Sequence, residues 1–374
     1  MLVLTLGLST TFAALAQTST TVRQTTTVAM PAGTTVTQTN TVPAQNKPTI
    51  YILATGGTIA GQGSSQVDSD YRAGAISVDQ MLAAVPQIKD IANIKGEQTA
   101  QIGSQDMNDQ VWLTLGKRVN QLLAQSDVDG IVITHGTDTQ EETAYFLNLV
   151  VKSSKPVVLV GSMRPSTAIS ADGPRNIYNA VACAIAKESV GKGVMVVMDD
   201  KILGADDLAK TNTLSVGTFQ NPNYGELGIM YDGKPIYTRE SLKRHTVNSE
   251  FDITNLTELP RVEIILSYSN ATALFVDAAV RAGAKGIVTA GVGNGNMTTV
   301  MQNELVQARS NGVAVVRSSR IMTGPTAQWD EVDDDKLGFA ASWYINPYRS
   351  RVLLMLALTK TNDYREIQRM FTEY

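Results

Sequence analysis

Two short apolar runs that each end on Gly-Thr constrain the fold of this chain most. The first, residues 50–58, reads IYILATGGT, and the second, residues 130–137, reads GIVITHGT. Apolar runs of this length that stop at turn residues predict buried strands. Gly56 and Gly57 can adopt backbone angles closed to other residues and let a ligand approach the main chain. Because open α/β sheets bind ligands beyond the carboxyl ends of their strands, we expect both turns to line one crevice.

The alternation of strands and helices continues along the chain and predicts the fold class. Further strands are predicted at 156–160, 193–198, 262–268, 286–290 and 313–317. Helices are predicted at 78–85, 108–125, 140–151, 172–187, 272–282 and 349–359, with one ending near residue 310 and one starting at residue 363. This pattern is typical of α/β proteins. We expect a larger N-terminal α/β domain over 48–240, with a mainly parallel sheet flanked by helices, and a smaller C-terminal α/β domain over 260–374. The weakly periodic segment 241–259 is expected to link them.

The N-terminal residues predict an exported protein. Residues 1–16 are apolar and end in Ala14-Leu15-Ala16, the small-x-small pattern of a secretory signal peptide, and they are too short to span a bilayer. A periplasmic or secreted location follows. No positive residue precedes the apolar run, so a disordered apolar tail remains the alternative. Residues 17–47 are rich in Thr, Gln and Val and are predicted to form a disordered linker.

Composition excludes several classes of function. The formal net charge is −4 and no basic cluster occurs, which argues against nucleic-acid binding. No later segment is apolar for long enough to cross a membrane. Cys183 is the single cysteine and the histidines number two, so an intramolecular disulfide is impossible and a Cys/His zinc site is nearly excluded. We predict no metal.

Side chains at the predicted crevice indicate nucleophilic catalysis. Thr58, Thr137 and Asp138 are expected there. A threonine hydroxyl is a poor nucleophile unless a neighbouring base takes its proton, and the candidates are Lys210 and Tyr71. Lysines are mostly exposed, so the residues alone favour a solvated loop lysine at position 210.

Other polar residues near the crevice have less specific interpretations. His135 is expected to be packed or bonded to the backbone, because no partner ligands accompany it. Glu141 and Glu142 are acids that suit the N-terminus of the helix they begin. The polar, glycine-bearing segment 61–74 is equally consistent with a lid and with a plain surface loop.

The glycine clusters match a nucleotide site poorly. Residues 56–61 have neither the dinucleotide spacing nor the Gly-Lys-Ser/Thr end of a phosphate loop. Residues 291–295 follow a predicted strand, but Asn296 stands where the last glycine of the dinucleotide fingerprint belongs. A nucleotide-dependent enzyme is therefore a weak alternative.

Six segments in one order resemble the bacterial L-asparaginases, most closely the periplasmic type II enzymes. They are ATGGTIA (54–60), GSQDM (103–107), THGTDT (134–139), MRPS (163–166), GVGNGN (291–296) and VVRSSR (315–320). The resemblance covers residues 48–374. It implies hydrolysis of L-asparagine to L-aspartate and ammonia without a cofactor, with a lesser activity on L-glutamine.

The resemblance also implies roles for single residues. Thr58 would be the nucleophile, in a triad with Tyr71 from the lid and Glu331. A second triad would activate water or the nucleophile and consists of Thr137, Asp138 and Lys210. The substrate-binding residues would be Gly57, Ser104, Gln105, Thr137, Asp138, Asn296 and Glu331. Which threonine acts in which half-reaction stays open.

The resemblance implies an oligomer. Asn296 and Glu331 would reach the site from a neighbouring subunit, so we expect a homotetramer built from intimate dimers that share their sites. Taken alone, Glu331 lies in an acidic run, 330–335, that is as consistent with a solvated loop. The alternative function is a non-catalytic periplasmic amino-acid-binding protein that uses the same crevice.

Overall fold

The computed structural model describes residues 21–29, 35–43, 47–66, 71–72 and 74–374. The signal peptide predicted at residues 1–16 lies outside them, as do residues 67–70 and 73 of the predicted lid. The chain divides into two units, one that ends at Lys47 and one from Pro48 to Tyr374.

The described residues of the first unit form two antiparallel strands within the segment 17–47 that the sequence predicted to be a disordered linker, and the rest of that segment lies outside the described residues. Strand β1 (Thr21–Ala29) pairs with β2 (Thr35–Pro43), in the register that places Thr21 opposite Pro43. A segment of this composition buries too little apolar area to order itself by packing. Threonine and valine also favour strands, and a cross-strand ladder satisfies backbone groups without a core.

The N-terminal part of the second unit is built on an eight-stranded sheet of order β14-β13-β10-β9-β8-β7-β3-β6. The strands of this sheet are β3 (Thr49–Gly56), β6 (Asn93–Ile102), β7 (Gly130–Thr134), β8 (Val157–Val160), β9 (Val194–Met198), β10 (Lys201–Gly204), β13 (Gly228–Tyr231) and β14 (Lys234–Tyr237). Two separate two-stranded ribbons accompany it. They are β4 (Gln62–Gly63) with β5 (Tyr71–Arg72), and β11 (Ala209–Lys210) with β12 (Phe219–Gln220). Strands β6, β3, β7, β8 and β9 run parallel, and β10, β13 and β14 add antiparallel pairs.

Helices cover both faces of this sheet. They are α1 (Val78–Ala83), α2 (Ile88–Ile91), α3 (Asp109–Leu123), α4 (Gln140–Val150) and α5 (Gly173–Ile185). Alternate residues of β3 and β7 point to opposite cores, so Leu53 packs with α3 and α4, whereas Ile52 packs with α1 and α5. Asn108 caps α3, because its side chain accepts the Val111 N–H at 3.1 Å.

The outer strands of this sheet were not predicted from the sequence. β6 is an edge strand with no buried residue, and it lacks the apolar run that identified the central strands. β13 and β14 are joined by Asp232 and Gly233, both with positive φ, at 49° and 70°. That geometry is the type I′ turn that Asp-Gly favours, so the signal for this hairpin was present in the sequence.

The C-terminal part is a smaller parallel α/β domain. Its four strands, in the order β15-β16-β17-β18, are β15 (Val262–Leu266), β16 (Gly286–Gly291), β17 (Ala314–Ser319) and β18 (Ala340–Ala341). Its helices are α6 (Leu274–Arg281), α7 (Thr299–Ser310), α8 (Asp334–Leu337), α9 (Pro347–Ala357) and α10 (Tyr364–Glu373). Helix α9 packs on β15 and β16 and also on α4. The predicted fold class is confirmed, and no helix in the described part of the chain is long and apolar enough to span a membrane.

Candidate active site

The two Gly-Thr turns meet backbone to backbone. β3 and β7 are parallel neighbours, with Ala54 opposite Thr134, so their carboxyl ends lie side by side. Gly57 has φ +82°, and a Cβ added there would lie 2.2 Å from the Cα of Gly136. No side chain fits at that distance. Thr58 follows Gly57 and Thr137 follows Gly136, so this contact brings the two threonines to one site. Both are buried.

The Gly57 contact predicts a severe loss of stability on substitution. We expect Gly57→Ala to lower the free energy of unfolding by about 1 kcal/mol for the positive φ. A further 1–3 kcal/mol, roughly, should follow because the added methyl group overlaps the Gly136 backbone. Urea denaturation measures the total. Gly191→Ala is the matched control, because Gly191 has φ +79° and nothing within 4 Å of its added Cβ. Equal losses in the two variants would contradict a role for the contact.

Lys210 joins the second threonine to an aspartate. It lies on β11, which pairs with β12, and its side chain is 20% exposed, unlike a solvated loop lysine. Its Nζ donates to Thr137 Oγ1 at 2.9 Å and to Asp138 Oδ1 at 2.7 Å. The hydroxyl therefore has a potential base at hydrogen-bond distance, and the base is itself oriented by a carboxylate, which is the arrangement that activates hydroxyl nucleophiles.

A third strand end brings Ser104 into the same crevice. Ser104 begins a 3₁₀ turn, Ser104–Asp106, separated from the end of β6 by one residue, and it is buried. Its hydroxyl accepts the Asp138 N–H at 3.1 Å, and its carbonyl accepts the Thr139 hydroxyl at 2.8 Å. A hydroxyl that accepts one bond still has its own proton to donate, so Ser104 is suited to binding an anionic ligand group. The neighbouring Gln105 is exposed.

The structure places Asn296 and Glu331 together on the C-terminal domain. Asn296 donates its side-chain N–H to the Glu331 carboxylate, across the loops that follow β16 and β17. Among the described residues, no hydrogen bond joins this pair to Thr137, Asp138 or Lys210.

The acidic run 330–335 is only partly the solvated loop that its composition suggested. Glu331 is exposed, but Asp334 is buried because it accepts two bonds from the buried Arg317, at 2.6 and 2.7 Å. Arg317 also donates to the carbonyl oxygen of Asn294 at 3.0 Å. One buried guanidinium thus ties together the two loops that carry Asn296 and Glu331.

The backbone of the predicted lid is anchored beside the first threonine. Tyr71 lies on β5 and pairs with Gly63 of β4, in a ribbon that follows the Thr58 turn. At the ends of the ribbon, the Gly74 N–H donates to the Gly57 carbonyl at 3.0 Å and the Ser166 N–H to the Gly61 carbonyl at 3.1 Å. The choice between a lid and a plain loop stays a prediction.

His135 is a packed histidine, as predicted. It is fully buried, its Nδ1 lies 2.6 Å from the Gly136 carbonyl oxygen and its Nε2 lies 2.9 Å from Thr143 Oγ1. The Trp112 indole donates to the same hydroxyl at 2.8 Å. Burial lowers the pKa of His135 to about 4, so the ring is neutral near pH 7 and stabilises the second turn.

Glu141 and Glu142 lie in the first turn of α4, where the sequence placed them, and Glu141 is buried while Glu142 is half-buried. Burial raises the pKa of each to about 7, against the opposing effects of Arg349 on Glu141 and Arg351 on Glu142. The apolar residues at 144–147 and 149–150 point in every direction around α4, so the helix is buried on nearly every face, and Glu141 is buried with it. Within the described residues, no group of three His, Cys, Asp or Glu side chains is arranged to hold a metal ion.

Comparisons with known proteins agree with the two-part fold. A family model described as "Asparaginase, N-terminal" matches residues 49–243, and one described as "Glutaminase/Asparaginase C-terminal domain" matches residues 261–371. "L-asparaginase 2" of Escherichia coli is 55% identical over 327 residues, covering 87% of this chain and 93% of that protein. "Probable L-asparaginase periplasmic" of Haemophilus influenzae is 54% identical over 331 residues, covering 88% of this chain and 94% of that protein. A crystal structure titled "Probable Cytoplasmic L-asparaginase" from Campylobacter jejuni superposes with a TM-score of 0.86 at 51% identity, over 88% of this chain and 100% of that one.

Proposed function

This chain belongs to the asparaginase family, and we propose that its crevice hydrolyses the side-chain amide of L-asparagine to L-aspartate and ammonia, with a lesser activity on L-glutamine. The observation that carries the proposal is the contact of Lys210 with both Thr137 and Asp138, beside the Gly57–Gly136 junction that brings Thr58 to the same place. A hydroxyl, a base and an orienting carboxylate are the parts that amide hydrolysis through a covalent intermediate needs.

Thr58 acts as the nucleophile in this proposal. Its Oγ1 attacks the amide carbon and loses its proton to a base, and the tetrahedral intermediate then expels ammonia, which takes up a proton as it leaves. Water attacks the resulting ester and releases L-aspartate and the threonine hydroxyl. Thr137, Lys210 and Asp138 activate the water or the nucleophile, with Tyr71 and Glu331 assisting Thr58. Backbone N–H groups at the two strand ends supply donors for the oxyanion.

The charges of the crevice suit a zwitterionic amino acid. Its ammonium group needs an anion, which Asp138 and Glu331 provide, and its carboxylate needs donors, which Ser104 and Gln105 provide. The Asp138 side chain is 58% exposed although it contacts Lys210, so it remains accessible to a ligand. The glycine at position 57 leaves room for the small polar head group.

The test is steady-state ammonia release from L-asparagine and L-glutamine under matched conditions. We expect turnover of both, with L-asparagine preferred. One extra methylene changes transition-state binding by only about 1–3 kcal/mol, so the preference should be roughly 10- to 200-fold. The alternative, a non-catalytic amino-acid-binding protein, predicts saturable binding of L-asparagine with no ammonia. That result would refute the proposal.

The proposal extends to assembly and location. Glu331 is exposed and bonds to Asn296 rather than to the crevice of its own chain, which supports a site completed by a neighbouring subunit in a homotetramer of intimate dimers. The signal-like residues 1–16 and the relative named periplasmic support a periplasmic or secreted enzyme. Hydrolysis by threonine and lysine side chains requires no cofactor.

A further inference from the structure

We propose that Arg317, with Asn294, positions the pair Asn296 and Glu331, and that Arg317 thereby acts on the reaction in the neighbouring subunit rather than in its own. The inference rests on the proposed function, in which that pair completes the crevice of a second copy of the chain. It adds to the site a buried ion pair that touches no substrate and yet controls the rate across a subunit boundary.

Arg317 is anchored in the sheet of the C-terminal domain. It lies on β17, an inner strand, with Thr289 of β16 and Ala341 of β18 as its neighbours. Its side chain is 1% exposed and forms a two-pronged ion pair with the fully buried side chain of Asp334, at 2.6 and 2.7 Å. Such a pair has one favourable geometry, because a departure from it leaves a buried charge without its partner. The guanidinium is therefore a fixed point of the domain.

The guanidinium also holds the main chain of both loops that carry the pair. Its Nη1 donates to the carbonyl oxygen of Asn294 and its Nη2 to that of Ala327, each at 3.0 Å. Asn294 lies two residues before Asn296, and Ala327 lies four residues before Glu331. Each loop is thus fixed to the sheet close to the polar residue that it carries.

The side chain of Asn294 joins the same two loops to each other. Its Nδ2 donates to Asp330 Oδ2 at 2.8 Å, and its Oδ1 accepts the Ala327 N–H at 2.8 Å. Asp330 directly precedes Glu331. The two loops therefore form one unit, and Arg317 attaches that unit to the sheet.

The pair itself has no other side-chain anchor. Within the described residues, the side chains of Asn296 and Glu331 hydrogen-bond only to each other, and Glu331 is exposed. Their place relative to the sheet therefore depends on the main chain that Arg317 holds. A displacement of about 1 Å at groups that orient a substrate can lower the rate about 100-fold. Release of the loops in one subunit should impair the crevice of the other by that amount.

Arg317→Lys is the variant that releases the loops and keeps the charge. Lysine leaves the buried Asp334 with a cation, but one ammonium group cannot replace a planar fork that also reaches two carbonyl oxygens. We expect kcat/KM for ammonia release from L-asparagine to fall about 100-fold. Leu305→Ala is the control for lost stability, because Leu305 is fully buried on α7 in an apolar cluster of the same domain. It should lower the melting temperature and change kcat/KM by less than about twofold.

Mixed oligomers show in which subunit Arg317 acts. Lys210→Met is co-expressed in equal amount with Arg317→Lys and, as a reference, with Glu331→Gln. In a mixed dimer, one crevice combines the intact Lys210 of one subunit with the intact loops of the other. Random pairing makes about half of the dimers mixed, so each mixture should show about one quarter of the wild-type kcat/KM, well above each variant alone.

Recovery in the Arg317→Lys mixture to the level of the Glu331→Gln mixture supports the inference. Recovery in the Glu331→Gln mixture only, full activity of Arg317→Lys by itself, or an equal loss in Leu305→Ala overturns it. Failure of both mixtures also overturns it, since the loops then serve their own chain. If thermal unfolding shows that Arg317→Lys does not fold, Asn294→Ala takes its place, because Asn294 is uncharged and half-buried. A wild-type protein that releases no ammonia from L-asparagine refutes the proposed function instead.

Discussion

Thr58→Ala is expected to lower kcat for ammonia release from L-asparagine by at least about 10³-fold, the scale seen when a catalytic nucleophile is removed. Alanine has no oxygen to attack the amide, and no other hydroxyl follows the first Gly-Gly turn directly. Thr58 is buried at the end of β3, and the substitution removes only a hydroxyl and a methyl group. Circular dichroism should therefore be unchanged, and L-asparagine should still bind. Calorimetry and a coupled ammonia assay measure the two quantities.

Thr134→Val is the matched control for Thr58→Ala. Thr134 is a fully buried threonine at the end of the neighbouring strand, and its hydroxyl has no hydrogen-bond partner among the described residues. Valine keeps the shape of its side chain, so turnover should be unchanged and stability equal or higher. Retained turnover in Thr58→Ala, or equal losses in both variants, would exclude Thr58 as the nucleophile.

Lys210→Met should lower kcat by about 10²- to 10⁴-fold, the usual contribution of a general base. Methionine fills similar space but cannot accept a proton from Thr137. KM should not rise, because the Asp138 carboxylate loses the cation 2.7 Å away and is left to bind the substrate ammonium. Steady-state kinetics resolve this separation of kcat from KM. A rise in KM with unchanged kcat would instead assign Lys210 to substrate binding.

Lys201→Met is the control for the loss of a positive charge near the β11–β12 ribbon, which carries Lys210. Lys201 lies on β10 and donates to Gln220 of β12, the strand that pairs with β11, at 3.1 Å. Its removal changes the net charge by the same amount in the same region but leaves the Thr137 contact intact. We expect nearly full activity. A loss comparable with that of Lys210→Met would indicate that the ribbon's charge, rather than a base, sets the rate.

The meeting of the two Gly-Thr turns was predictable from the sequence, because parallel strands deliver their carboxyl ends to one edge of a sheet. The central strands were also predictable, because strands that are buried on both faces appear in the sequence as continuous apolar runs. The edge strand β6 was not, because an exposed strand carries no such run. The Ser104 turn that follows it was found only through the family motif.

The environment of the acidic residues could not be predicted from local sequence. Glu141 is buried because α9, about two hundred residues later, packs on α4. Asp334 is buried because Arg317 lies beneath it. Charged residues are almost never fully buried unless they are paired, so composition alone indicates exposure at both positions. Only the tertiary fold identifies the partners.

The Gly57–Gly136 contact has a consequence for engineering the substrate preference of this enzyme. Neighbouring strands in a sheet lie about 4.8 Å apart, and that spacing is fixed by backbone hydrogen bonds. Since two glycines touch across β3 and β7, the separation of the reacting threonines is set by the ladder of the sheet rather than by side chains. Libraries that vary the walls of the crevice can therefore change its shape without moving the catalytic groups apart, provided that both glycines are kept.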